Sequence, residues 1–202
     1  HRLFAGDDSS AAPEEAAQLA DMLLAAKRPV IIAGSEAANE ATAQALRDLT
    51  ASVPIPVFTK SLASGVLPIG HPCDGGTAGN LAMLPMIGVD APDLVILLGG
   101  KMGLLLGGRS GAIVPHAAQL AQIHSDASEI GRIRDVQCAI QADAALAVRA
   151  LQAALAGRAP GGLADWTGRA VSAAGLFATL FPEVETDKGI HPFHAAAAVA
   201  AA

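Results

Sequence analysis

The stretch APDLVILLGG, residues 91–100, constrains the fold more than any other part of the chain. Its centre is an unbroken aliphatic run, preceded by Pro and Asp and followed by two glycines. A half-exposed strand would alternate apolar with polar residues, and a helix would need a longer run, so this segment reads as a short strand buried on both faces. Such strands sit in the middle of parallel sheets whose two faces are covered by helices. Parallel neighbours need crossover connections, so the rest of the chain should alternate strand with helix.

It does. PEEAAQLADMLLAAK, from Pro13, places Ala16, Leu19, Ala20 and Leu23 on one helical face, with proline and two glutamates in the first turn, where the free N–H groups and the positive helix end favour them. RPVIIAG at 28–34 follows as a strand, then a helix over about 36–51 that stacks Ala38, Ala41, Ala45 and Leu49, then the strand PIPVFT at 54–59. Residues 61–80 are rich in Gly, Pro and small polar residues and read as a long loop leading into a helix at 77–87. AQLAQIHS at 118–125 is the next strand; Asp126 and Glu129 after it have the spacing of a capping box. A short strand near 136–141 leads to a helix opening at Asp143, with Ala144, Ala147, Val148, Leu151, Ala154 and Leu155 on one face. With right-handed crossovers, this order predicts a Rossmann-like, doubly wound, mainly parallel sheet of about six strands with helices on both faces. After Gly157 the sequence reads as a linker carrying a helix over 163–181, whose stripe of Trp166, Ala170, Ala173, Phe177, Leu180 and Phe181 must pack on something: an edge of this sheet or another domain.

In a doubly wound sheet, ligands bind at the carboxyl ends of the strands. Here those ends are Gly34-Ser35-Glu36, Thr59-Lys60, Gly99-Gly100-Lys101 and Ser125-Asp126. GSEAAN has one glycine where a dinucleotide fingerprint needs three, and GLLLGGRSG at 103–111 lacks the Gly-Lys-Ser/Thr end of a phosphate loop. Arg109 is the natural partner if an anion binds near that loop. Asp126 suits either a ribose hydroxyl or a helix cap. His124 has no Cys, Asp or second His placed to share a metal, and no nucleophile elbow or Ser, His and acid set stands out. His191 and His194 at the start of the last apolar run could touch one ligand or simply cap a helix.

Charge excludes one class of partner. The formal net charge is −6 and there is no Lys/Arg run, so nucleic acid has nothing to bind. Charged residues make up 16%, against a typical value of about 25%, which leaves much uncharged surface for other protein to cover. No apolar stretch is long enough to span a bilayer, and the glycines and Lys101 break the longest one. Cys73 and Cys138 lie far apart with no CxxC, as expected of reduced thiols in a cytoplasmic protein. The chain starts at His1 rather than Met and closes on GIHPFHAAAAVAAA at 189–202, which reads as the opening of a helix, so a piece of a longer protein is expected.

RPVIIAGSEA at 28–37, Gly75-Gly76 with Asn80-Leu81, the long run 91–132 and AIQADAALAVRAL at 139–151 together resemble the central domain of thiamine-diphosphate-dependent enzymes of the benzaldehyde lyase and acetolactate synthase type. The likeness covers about residues 13–155, and HPFHA at 191–195 resembles the junction into the third domain of that family. It implies a linker at 1–12, a central domain at 13–157, a linker at 158–190 and the start of a pyrophosphate-binding domain at 191–202. It also implies partner domains in the same protein: an N-terminal pyrimidine-binding domain and a C-terminal domain holding diphosphate and Mg²⁺ through a GDG-type motif. No GDG occurs here, so the chain itself is expected to bind no thiamine diphosphate and to be inactive alone, its role being bracing and homo-oligomer packing. The parent would act on 2-keto or 2-hydroxy carbonyl compounds as a lyase or transferase. Some members hold FAD or ADP in this domain; the matching positions are Gly34, the Gly75-Gly76 loop, Gly99, Lys101, the 107–109 loop with Arg109, His124, Asp126 and Asp143. Relatives commonly read Asp-x-Asp where this chain reads His124-Ser125-Asp126, and Arg where it has Lys101. Both departures weigh against a nucleotide.

Overall fold

The computed structural model describes residues 10–176, together with Ala195, Ala198 and Val199. A single sheet runs through it, built from β1 (Pro29–Ala33), β2 (Val57–Thr59), β3 (Asp74–Thr77), β4 (Leu94–Leu98), β5 (Gln119–His124) and β6 (Cys138–Gln141). The strand order is β3-β2-β1-β4-β5-β6, and every pairing is parallel. That order reverses direction between β1 and β4, the signature of a doubly wound Rossmann-like sheet. The aliphatic run at 94–98 is β4, and no residue in it is more than 1% exposed. It pairs along its whole length with β1 on one side and β5 on the other.

Helices α1 (Pro13–Ala25), α2 (Glu40–Ser52) and α3 (Ala144–Leu155) pack against one another as one layer. The second layer holds a 3₁₀ segment at Ala78–Ile87, α4 (Leu163–Val171) and a short 3₁₀ turn at Ser172–Gly175. Ala16, Leu19, Ala20 and Leu23 of α1 are buried, as are Ala144, Ala147, Val148, Leu151 and Leu155 of α3. Alanines at these contacts let the helix axes approach closely. The ends are pinned too: the Asp93 carboxylate accepts the backbone N–H groups of Lys27 and Arg28 at 3.0 and 2.8 Å, joining the amino ends of β1 and β4.

Four features depart from the sequence expectation. The loop at 61–80 contains β3, a sixth strand, because the edge of β2 offers unpaired backbone and the Phe58 ring covers Gly75 where a side chain would otherwise stand. The helix after it is 3₁₀ and carries Pro85, which has no N–H to continue an α-helical ladder. The buried stripe of α2 is Thr42, Ala43, Ala45, Leu46, Leu49 and Thr50, while Ala38 and Ala41 are exposed; Asn39 caps the helix by accepting the Thr42 N–H at 2.9 Å, which sets the start and rotates the face. Asp126 caps only one 3₁₀ turn, Ala127–Glu129, and Glu129 does not reach back to it.

The helix expected over 163–181 is α-helical over Leu163–Val171 and then 3₁₀; its positions beyond 176, including Phe177, Leu180 and Phe181, lie outside the described residues, as do His191 and His194. Trp166, Ala170 and Ala173 are buried, and the segment packs on edge strand β3. The Trp166 indole N–H donates to the Pro29 carbonyl at 2.8 Å, and the Thr167 hydroxyl donates to the carbonyl of Pro54, which fastens α4 to the amino ends of β1 and β2.

Candidate functional site

The reversal between β1 and β4 is where a sheet of this order opens a crevice, so the chain just after those strands decides what can bind. Two chain reversals meet there almost backbone to backbone. The Gly34 N–H donates to Leu98 O at 2.8 Å, and a Cβ placed on Gly34 would lie 2.3 Å from the Gly100 Cα. Gly99 has φ +59, and a Cβ on it would lie 2.8 Å from the Glu36 Cβ. Its N–H donates to Ile123 O at 2.8 Å, while its carbonyl accepts the Glu36 N–H at 3.0 Å. Gly34 and Gly99 are therefore glycines because the two turns interlock, and both N–H groups are spent inside the sheet rather than aimed at a phosphate.

Glu36 reaches from the end of β1, across β4, to the end of β5. Its carboxylate accepts the Ser125 hydroxyl at 2.5 Å and the Ser125 N–H at 3.1 Å. Beside it stands His124, 3% exposed, whose Nδ1 accepts the Asp126 N–H at 3.0 Å and lies 3.5 Å from Glu36 Oε1. The His124 Nε2 is buried with no hydrogen-bond partner. Gln122, fully buried in β5, ties the next loops together: its amide N–H groups donate to Gly100 O and Glu129 O at 3.1 and 3.0 Å, and its oxygen accepts the Gly131 N–H at 3.0 Å.

The charged groups at this edge are also matched internally. Lys101 Nζ sits 2.9 Å from Glu129 Oε1, and Arg132 sits 2.8 Å from the other Glu129 oxygen. Arg132, then Lys101, hold the Glu129 carboxyl below its usual range, and hydrogen bonds from Ser128 do the same for Asp126. The Lys60 ammonium donates to Lys101 O at 3.1 Å; partial burial and then the Lys101 charge push its pKa down.

The structure brings Gly34, Gly99 and Lys101 together with Glu36, His124, Ser125 and Asp126 around the ends of β1, β4 and β5. Gly76 and Asp143 belong to the opposite edges of the sheet, on β3 and just after β6, roughly 24 Å apart at five strand spacings of about 4.8 Å. Gly76, at φ +69, donates its N–H to Asp74 at 2.9 Å, and Asp143 caps α3 through the Leu146 N–H at 3.0 Å. Arg109 is exposed beside a cavity of about 370 Å³ lined with Met102, Val114, His116 and Asp135. Glu36, Gln122 and Ser125 are the residues that sequence reasoning missed as a unit; an acid just after β1 and a glutamine inside an apolar strand were the only signals.

Among the described residues no group of three or more His, Cys, Asp or Glu side chains could hold a metal ion, and no helix is long and apolar enough to cross a membrane. Cys73 and Cys138 are free and buried, with burial pushing each thiol up to about 11.

The chain is thus an all-parallel, doubly wound sheet whose carboxyl edge is bonded internally at Glu36–Ser125 and Lys101–Glu129. The profile of the family described as "Thiamine pyrophosphate enzyme, central domain" matches residues 16–151. The chain belongs to that family. It is 33% identical over 147 residues to the acetolactate synthase isozyme 1 large subunit of Escherichia coli (strain K12), an alignment that takes in 67% of this chain and 25% of the relative. The crystal structure of benzoylformate decarboxylase from Polynucleobacter necessarius superposes with a TM-score of 0.57 at 19% identity, over 74% of this chain and 28% of that one. The chain thus spans about a quarter of the length of the curated relative it matches.

Proposed function

We propose that this chain is the non-catalytic central domain of a thiamine-diphosphate-dependent lyase, carboligase or synthase acting on 2-keto or 2-hydroxy carbonyl compounds. The observation that carries this reading is the internal pairing of the carboxyl edge. Glu36 with Ser125 and Lys101 with Glu129 leave the crevice crossed by the chain's own bonds, while Asp126 and Asp143 are spent as local caps on Ser128 and Leu146. The relatives are named as a synthase and a decarboxylase, which supports carbon–carbon chemistry in the parent.

The described residues do not fit the family's cofactor. Mg²⁺ takes oxygen ligands, usually one or two carboxylates with phosphate oxygens, and the carboxylates at these strand ends are already paired, Glu36 with Ser125, Glu129 with Lys101 and Arg132, and Asp126 with Ser128. No catalytic step is therefore assigned to this chain. In this reading, thiamine diphosphate and Mg²⁺ are held by N-terminal pyrimidine-binding and C-terminal pyrophosphate-binding domains of the same protein, in a cytoplasmic homo-oligomer. Apolar side chains exposed on the loops support such partners: Leu62 is 75% exposed, Ile69 94% and Leu104 90%. An FAD- or ADP-holding role fits less well, since the Gly34 and Gly99 N–H groups are already bonded and the acid expected at position 124 is an imidazole.

The test is an assay of the purified chain and of its full-length parent for thiamine-diphosphate-dependent carboligation of aldehydes and 2-keto acids. The chain alone should be inactive and the parent active. Turnover by the chain alone, or a parent that does no thiamine chemistry, contradicts the proposal.

A further inference from the structure

Ser125 at the end of β5 presents two donors, its N–H and its hydroxyl, to one carboxylate that arrives from 89 positions earlier in the chain. Two convergent donors on a partly desolvated oxyanion are the elements of an anion site, with the strength that charge-assisted hydrogen bonds carry. The neighbouring His124 Nδ1 accepts the Asp126 N–H and lies 3.5 Å from Glu36 Oε1, beyond good hydrogen-bond distance. The hydrogen bonds to the carboxylate thus come from Ser125, and the Glu36 side chain is 28% exposed, so water and solutes reach it.

We infer that the end of β5 is a binding site for a single small oxyanion, a carboxylate or a phosphate, and that Glu36 is its built-in occupant. The side chain acts as a tethered ligand, so its binding is intramolecular and set by the geometry of the turn after β1. By filling the site it straps the turn after β1 over β4 onto β5 and keeps the crevice shut. The inference concerns this chain alone and stands whatever chemistry the parent performs.

Glu36→Ala removes the tethered carboxylate and leaves the two donors exposed. The variant should unfold about 4–8 °C below the unaltered chain, the shift expected for losing charge-assisted hydrogen bonds in a domain of this size. Sodium acetate or inorganic phosphate should return part of that loss in a saturable way, beyond a sodium chloride control of equal ionic strength. The unaltered chain and Glu36→Gln, whose amide still fills the site, should respond no more than the control. A Glu36→Ala variant indifferent to both anions, or equal responses in all three proteins, overturns the inference. A measurement independent of that variant's folding is the Ser125 amide resonance. It should shift when Glu36→Gln replaces the charged acceptor with a neutral one, while the Asp126 amide, bonded to His124, keeps its place. A Ser125 resonance unchanged in Glu36→Gln also overturns it.

Discussion

Gly34→Ala is the sharpest perturbation of the crevice, because two readings of that glycine predict opposite results. If Gly34 serves a phosphate, adding a methyl group costs binding and little stability. The structure instead puts the new Cβ 2.3 Å from the Gly100 Cα and 2.6 Å from Gly99 O, both backbone atoms that cannot rotate away. Relief requires parting the ends of β1 and β4, which also stretches the Gly34 N–H to Leu98 O bond. Overpacking costs about 1–3 kcal/mol even where side chains can give, and a weakened buried hydrogen bond adds about 1 kcal/mol. A loss of roughly 2–4 kcal/mol follows. With an m-value of about 2 kcal/mol/M, the urea midpoint should fall by about 1–2 M. Gly103→Ala is the control: its φ of 176 is ordinary extended backbone, nothing lies within 4 Å of the added atom, and its midpoint should stay within experimental error. A Gly34→Ala midpoint equal to that of Gly103→Ala would refute the interlocking-turn account.

Trp166→Ala should destabilise the domain by about 3–5 kcal/mol, and Trp166→Phe by less, the remainder measuring the indole bond to Pro29 O; a Trp166→Ala variant with unchanged urea midpoint would mean that α4 is not seated on the sheet. Asp126 and Glu129 have carboxyls held below their ordinary values of 3.8 and 4.5, so their contribution to stability is present above those values and is lost as pH falls through the lower folded ones. Glu129→Gln should flatten that acid limb in a pH series of thermal melts, and an unchanged limb would argue against the Lys101–Glu129–Arg132 cluster. The thiols of Cys73 and Cys138, pushed up to about 11 by burial, should resist a thiol reagent at pH 8 in the folded chain and react at once in denaturant.

What was legible in the sequence follows from how far apart the interacting residues lie. Residues 94–98 declare themselves because five adjacent positions share one environment, and α1 and α3 because their buried residues repeat at helical spacing. Strand β3 did not, since Asp-Gly-Gly-Thr carries no apolar signal and becomes a strand only through the open edge of β2. On α2 the face was legible at Ala45 and Leu49 but not at Ala38 and Ala41, because the start of the helix is set by the Asn39 cap, a local hydrogen bond rather than a hydrophobic pattern. At the site, the strand ends were readable, but the bond from Glu36 to Ser125 joins positions 89 apart and leaves no periodic trace. The same holds for Trp166 and Pro29, 137 positions apart.

The central claim is that the crevice of this domain is closed by its own side chains and braces rather than binds. Isothermal calorimetry of the purified chain with FAD and with ADP tests it most directly. The account predicts heats no larger than dilution for both, because Glu36, Ser125, Gly34 and Gly99 have already spent their hydrogen bonds on one another and on the sheet. Saturable binding at micromolar concentration with one site per chain would contradict it.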